Sequence, residues 1–398
     1  MVAVRLLAWL DKAPAPARAG AVAPLVNSYV HAALSDEARD DLDIAMTLLL
    51  DDPVPEVRRA LAEALSIHEA VPRHLVVALA QDLPFVAEPV LRRSPCLLDA
   101  ELAEAVRGGV ARVQTAVACR PWVSYAVADV IAAEADEEAV AALVSNSGAD
   151  LSYEAFSAAA ERFGTVPDVR DALFRHPDLP ITVRQSLIAR LGLALNGLMV
   201  SRDWMSERKA GNVVREACEK ATVVLAAGAG EEELEDLVEH LRATGQLTPA
   251  LVVRTACTGN IRFLEAVIAR LTGLPAERVY AILVDGRVAA VTALFARAGL
   301  PDRVNGALLA ALAAWRDLAK EECTEGDPAF PRRMIERVLT RYQRMAAGDV
   351  DDLLALLRRL AADAAREAAR AKAEAARTKA AEARERSGRA APHVDIAA

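Results

Sequence analysis

Aromatic residues make up only 4% of this 398-residue chain. With β-branched runs equally sparse, the usual mark of a sheet-rich domain is missing. The five cysteines, Cys96, Cys119, Cys218, Cys257 and Cys323, are scattered 23, 99, 39 and 66 residues apart with no CxxC pair. That spacing excludes a local zinc clamp and suits buried thiols in a reducing cytoplasm. The six histidines, His31, His68, His74, His176, His240 and His393, include no i, i+4 pair, and His68 and His74 stand six apart across Pro72. No metal or cofactor is therefore expected. Long apolar runs are also absent: Met1–Leu10 is followed at once by Asp11-Lys12, and 191–200 lies between Arg190 and Arg202. Neither suits a signal peptide or a membrane span of about 20 apolar residues. Cations are the minority, 47 Lys and Arg against 56 Asp and Glu for a net charge of −9. A general nucleic-acid coat needs the opposite balance.

What the chain does have is alanine, 86 residues of it, together with abundant leucine. Both favour helices. At this length a single core would have stopped growing, so two or more domains or a stack of small units is expected. Residues 41–50 place Leu42, Ile44, Ala45, Leu48 and Leu49 on one helical face, and Ser35-Asp36-Glu37 supplies a cap with acids in the first turn. Pro55 sits where a helix can start, ahead of a stripe of Val57, Leu61, Ala64 and Leu65. Val86 echoes Val57 after 29 residues. The echo then becomes regular: Arg93-Ser-Pro-Cys-Leu97, Arg120-Pro-Trp-Val123, Asn146-Ser-Gly-Ala-Asp-Leu151 and Arg175-His-Pro-Asp-Leu179 each set a polar residue before an apolar anchor, and the anchors follow at 26, 28 and 28 residues. Each unit holds two short helices that cannot bury their stripes alone. Neighbours must stack, which predicts an all-α chain built as an α-solenoid.

The Asp-x-Pro-x-Val-Arg start at 52–58 resembles HEAT repeats, and the Arg/Asn-x-Pro-x-Leu series resembles a bacterial family of HEAT-like proteins known as a domain of unknown function. The resemblance covers about residues 40–310 and includes Leu247-Thr-Pro-Ala-Leu-Val-Val-Arg254, Gly259-Asn-Ile-Arg-Phe-Leu264 and Ala298-Gly-Leu-Pro301. It implies a scaffold of degenerate HEAT-like repeats and carries over no catalytic residue.

Three parts are expected along the chain: a HEAT-like solenoid over 1–201, a second helical block over 202–342 packed on it, and an exposed charged helix with a flexible tail over 343–398. In the last part Leu353, Leu354, Leu356, Leu357 and Leu360 form an apolar start, after which alanine and charged residues take over. Residues 358–398 hold 10 Lys and Arg against 6 Asp and Glu, so a tail of +4 is attached to a remainder of −13. No leucine heptad continues beyond Leu360, so a stable coiled coil is not expected from it alone.

Few residues suggest chemistry. Thr222–Leu225 followed by Ala226-Ala-Gly-Ala-Gly230 imitates a strand and a phosphate-binding glycine turn, but the third glycine is missing and Glu231–Glu233 would repel phosphate. A loop between helices is the favoured reading. No Walker lysine, GxSxG elbow or paired nucleophile is present, so no enzyme is expected. The most specific positional feature is the ladder Arg93, Arg120, Asn146 and Arg175, with Trp122 beside it. Its sharp reading is a row of donors for a carboxylate-rich or phosphorylated partner. Its bland and favoured reading is polar satisfaction between repeats. The expected function is a cytoplasmic, non-enzymatic protein interaction scaffold or adaptor. The alternative is a nucleic-acid-binding protein of the HEAT-like DNA glycosylase kind, which needs a basic groove.

Overall fold

The computed structural model describes Trp9 and residues 12–321, 330–345 and 351–389. The rest of the Met1–Leu10 stretch, Cys323, the interruption at 326–329 and His393 lie outside the described residues. Among the described residues the chain is all helical, with twenty-one helices and a single isolated parallel bridge, Val123 to Ala149. It divides into two compact units, Met1–Val214 and Arg215–Ala398. The sequence reading put a boundary at 201/202 instead.

The first unit runs through α1 (Ala15–His31), α2 (Asp36–Leu49), α3 (Pro55–Leu65), α4 (Arg73–Ala80), α5 (Pro84–Arg93) and α6 (Asp99–Gly108). It continues with α7 (Ala111–Ala118), α8 (Tyr125–Glu134), α9 (Glu137–Ser145), α10 (Tyr153–Phe163), α11 (Pro167–Arg175) and α12 (Ile181–Ser201). Local chemistry sets the starts. The Ser35 hydroxyl accepts the Ala38 N–H at 3.3 Å, and Ser124 and Ser152 cap α8 and α10 in the same way. Pro55, Pro84 and Pro167 open their helices where no N–H is needed. In α3 the stripe Val57, Leu61 and Leu65 is fully buried, with Ala62 rather than Ala64 completing it.

These helices pack in alternation. The odd-numbered helices α1, α3, α5, α7, α9 and α11 each lie against the next odd one, and α6, α8, α10 and α12 form a second row in the same way. Each buried stripe therefore faces residues one two-helix unit away. Polar contacts repeat that distance: Arg58 pairs with Asp82, Arg73 with Glu101 and Arg107 with Glu134, at separations of 24, 28 and 27 residues. One continuous core, from Val22 to Leu187, joins the rows.

The second unit comprises most of α13 (Glu207–Gly228), then α14 (Glu231–Ala243), α15 (Pro249–Thr258), α16 (Ile261–Thr272), α17 (Ala276–Asp285), α18 (Val288–Arg297), α19 (Asp302–Lys320), α20 (Phe330–Met345) and α21 (Asp351–Arg389). Here α15 packs on α16, α19 and α20, and α20 packs on both α19 and α21. Thr222–Leu225 lies inside α13, which runs on through Gly228, so no strand is formed there and only residues 229 and 230 separate α13 from α14. The Gly230 N–H donates to Glu233 at 2.8 Å and closes the start of α14.

The tail expected from residue 343 onward is not wholly separate from this unit. Leu357, Leu360, Ala364 and Ala368 are buried on one face of α21, while the described side chains from 369 to 378 are exposed. No described helix is long and apolar enough to cross a membrane.

Candidate functional site

Of the residues singled out in the sequence, Arg93 ends α5 ahead of the loop into α6, the loops into α8 and α10 carry Arg120, Trp122 and Asn146, and Arg175 ends α11. Each loop follows the C-terminal end of a helix, where the last carbonyls lack intrahelical donors. Arg120 answers that need for α5: its two terminal nitrogens donate to the Leu91 and Ser94 carbonyls at 2.6 and 2.8 Å, and only 9% of the residue is exposed. Asn146 does the same one unit later, donating to the Ala118 and Arg120 carbonyls at 2.9 and 2.7 Å while its side-chain oxygen accepts the Gly148 N–H. Burial pulls the Arg120 guanidinium below its ordinary value, and the charge of Asp99 works in the other direction.

The same device recurs where the sequence reading did not look. Arg162, inside α10, donates to the Ala132 and Ala135 carbonyls at 2.8 Å each. In the second unit Arg316 reaches the Leu283 carbonyl at 2.5 Å. Arg162 and Arg316 sit mid-helix, away from the positions ahead of an apolar anchor that Arg120 and Asn146 occupy. A separation of 26 to 30 residues between an arginine and the end of an earlier helix was the available signal for Arg162.

Of the five candidate residues, Arg93, Arg120 and Trp122 line one cleft of about 280 Å³, together with Pro95, Leu97, Asp99 and Ser124. Asn146 adjoins it through its bond to the Arg120 carbonyl. Arg175 ends α11, is exposed, and is not among the cleft residues. Arg93 is likewise exposed. Trp122 is 60% exposed, and its indole N–H donates to Asp150 at 3.0 Å.

Three further contacts stitch these loops side by side. The Ser124 hydroxyl donates to Asp99 at 2.6 Å. The Val123 N–H bonds the Gly148 carbonyl at 3.0 Å, and the Asp150 N–H bonds the Val123 carbonyl at 2.9 Å. A side chain at Gly148 would run into the Pro121 carbonyl, which explains glycine at that point. Along the stitched edge stand Leu98, Trp122, Tyr125 and Tyr153, all more than half exposed. The sequence reading missed Tyr125 and Tyr153. Their 28-residue spacing, shared with the capping serines 124 and 152, was a visible clue.

The arrangement offers exposed apolar surface flanked by carboxylates, and the hydroxyl that meets a carboxylate there, Ser124 on Asp99, also caps α8 by accepting the Val127 N–H. A larger groove of about 550 Å³ lies in the second unit, lined by Glu231, Glu235 and Glu265 with Arg262 and Arg270. Burial, and then the charge of Glu231, pushes the Glu265 carboxyl up. Arg270 is committed there to Glu239 at 2.6 Å. Among the described residues no group of three or more His, Cys, Asp or Glu side chains is placed to hold a metal ion.

No curated protein and no solved structure matches the chain. One family model does match, over residues 86–348, which include the stitched edge and most of the second unit. That stretch is well over half of the sequence, and the chain belongs to this family, described as uncharacterised protein conserved in bacteria (DUF2336).

Proposed function

We propose that this chain is a non-enzymatic interaction scaffold of the cytoplasm, a HEAT-like α-solenoid in its first unit that binds protein partners along the edge formed by the starts of α6, α8 and α10. The observation that carries the reading is the row Leu98, Trp122, Tyr125 and Tyr153, exposed on successive stacked units. Large aromatic side chains left in water on one contiguous edge are the usual anchors of a protein interface. The alternating rows and the 24- to 30-residue rhythm of polar contacts support the repeat reading. No disulfide joins the four described cysteines, Cys96, Cys119, Cys218 and Cys257, which suits a reducing compartment.

The polar ladder is not the binding element in this reading, since Arg120 and Asn146 already serve backbone carbonyls. Charge weighs against the nucleic-acid alternative: the first unit holds 20 Lys and Arg against 29 Asp and Glu.

The test is quantitative affinity purification from the native cell with the intact chain and with a Trp122→Ala, Tyr125→Ala, Tyr153→Ala variant. Loss of the same partners from the variant is expected. An unchanged partner set, with the variant folded, would refute the edge as the interface.

A further inference from the structure

The edge has a spacing and a charge that together specify a ligand class. Helices packed as neighbours lie about 8–10 Å apart, and α6, α8 and α10 pack successively. Leu98 caps α6, and Tyr125 and Tyr153 are the first residues of α8 and α10, so one apolar side chain marks each helix start. A polyproline II strand advances about 3.1 Å per residue with three residues per turn, so every third side chain returns to the same face after about 9 Å. A peptide in that conformation, laid across the three starts, meets one anchor per turn.

Carboxylates border the anchors. Asp99 and Asp150 each accept one bond from a neighbouring loop, from Ser124 and Trp122, and Glu154 follows Tyr153 on the exposed side of α10. A carboxylate has room for several donors, so both aspartates retain acceptor capacity. The bond to Asp150 holds the indole by its N–H, and 60% of the residue stays exposed. A guanidinium can stack on an indole face while donating to the carboxylate beside it, a match that a lysine ammonium does not reproduce. Of the two arginines that line the cleft, Arg120 is buried on backbone carbonyls and Arg93 is exposed.

We propose that this edge binds an extended proline-rich peptide bearing arginine, with prolines over Tyr125 and Tyr153 and a guanidinium on Trp122 against Asp150. The proposal rests on the interaction-scaffold reading and names the partner chemistry for it.

The test uses the full chain and fluorescein-labelled synthetic peptides read by fluorescence anisotropy: a repeat of Pro-Pro-Arg, a repeat of Pro-Pro-Glu, and a repeat of Gly-Ser-Arg with the charge of the first. Saturable binding of the Pro-Pro-Arg peptide, about tenfold tighter than either control, is expected. Trp122→Ala should weaken it by about tenfold. Asp150→Asn keeps an acceptor for the indole but removes the charge, and should weaken the Pro-Pro-Arg peptide several-fold, so it decides the matter if the tryptophan variant fails to fold. Equal binding of Gly-Ser-Arg would reduce the site to plain charge attraction and overturn the proposal, as would preference for the acidic peptide. Failure of all three peptides, with native partners still lost from the triple alanine variant, would overturn the peptide class while leaving the edge as a protein interface.

Discussion

Arg93 stands two residues before Pro95 and Arg120 directly before Pro121, and the fold treats the two arginines differently. Arg120 is buried on two carbonyls at the end of α5, whereas Arg93 is exposed. Removing a buried donor leaves its acceptors desolvated and unsatisfied. Arg120→Met is therefore expected to cost about 2–3 kcal/mol in urea unfolding followed by circular dichroism, and Arg93→Met less than about 0.5. Equal effects would show that the two guanidinium groups share one role. Asp82 gives a pH signature. The paired bond from Arg58 holds its carboxyl below the usual carboxylate range, against a smaller opposing effect of burial. The folded state therefore favours the ionised form. Its stabilisation is complete above about pH 4 and is lost as pH falls through the depressed value. Asp82→Asn should flatten the fall in melting temperature below pH 4, and an unaltered acid limb would rule out this linkage.

At the scale of the element, α3 and α21 show two ways of burying a helix. Leu61 is fully buried in α3, which packs on both α1 and α5. Leu61→Asp places an unpaired charge in that joint and should cost about 4 kcal/mol or more. A melting curve like that of the parent chain would mean that the joint is not packed as described. Helix α21 docks through small residues. Leu357, Leu360, Ala364 and Ala368 are buried at three- and four-residue steps along α21, which packs on α20, itself burying Met334, Ile335, Val338 and Tyr342. Lys220 to Asp363 at 4.0 Å and Arg359 to Glu216 at 3.6 Å tie the same helix to α13. Truncation after residue 370 removes exposed described side chains and should leave the melting temperature unchanged. Truncation after 350 also strips the two leucines from α20 and should lower it by at least about 5 °C. Identical melting of both truncations would place α21 outside the cooperative unit.

For the whole molecule, charge and contact divide the chain along one line. The first unit carries the entire net charge of −9, and the second balances 27 cations with 27 anions. The division falls at Val214, inside the residue range of α13. An acidic first unit steers cations toward itself and repels phosphates. A fluorescent DNA duplex titrated with the full chain at 150 mM salt should show no saturable anisotropy change up to about 10 µM, a concentration within the range of ordinary non-specific dissociation constants. Tight binding there would move the tail helix, with its exposed Arg370, Lys372 and Arg377, to the centre of the function.

Sequence alone determined the helices. The cap at Ser35, the proline start at Pro55 and the stripe through Val57, Leu61 and Leu65 were legible because capping and i, i+3, i+4 spacing act within a few residues. The 28-residue rhythm was legible for the same reason, since each unit repeats its own local pattern. Tertiary structure alone decided which polar residues are consumed and which face outward. Arg120 is buried because the end of α5 presents carbonyls to it. Ala364 and Ala368 are buried because α21 packs on α20 and is tied to α13, and alanine carries too little hydrophobic contrast to announce a face by itself. Leu98, Trp122, Tyr125 and Tyr153 become one edge only when loops about 28 residues apart are bonded side by side, and a single unit of sequence carries no trace of that neighbour.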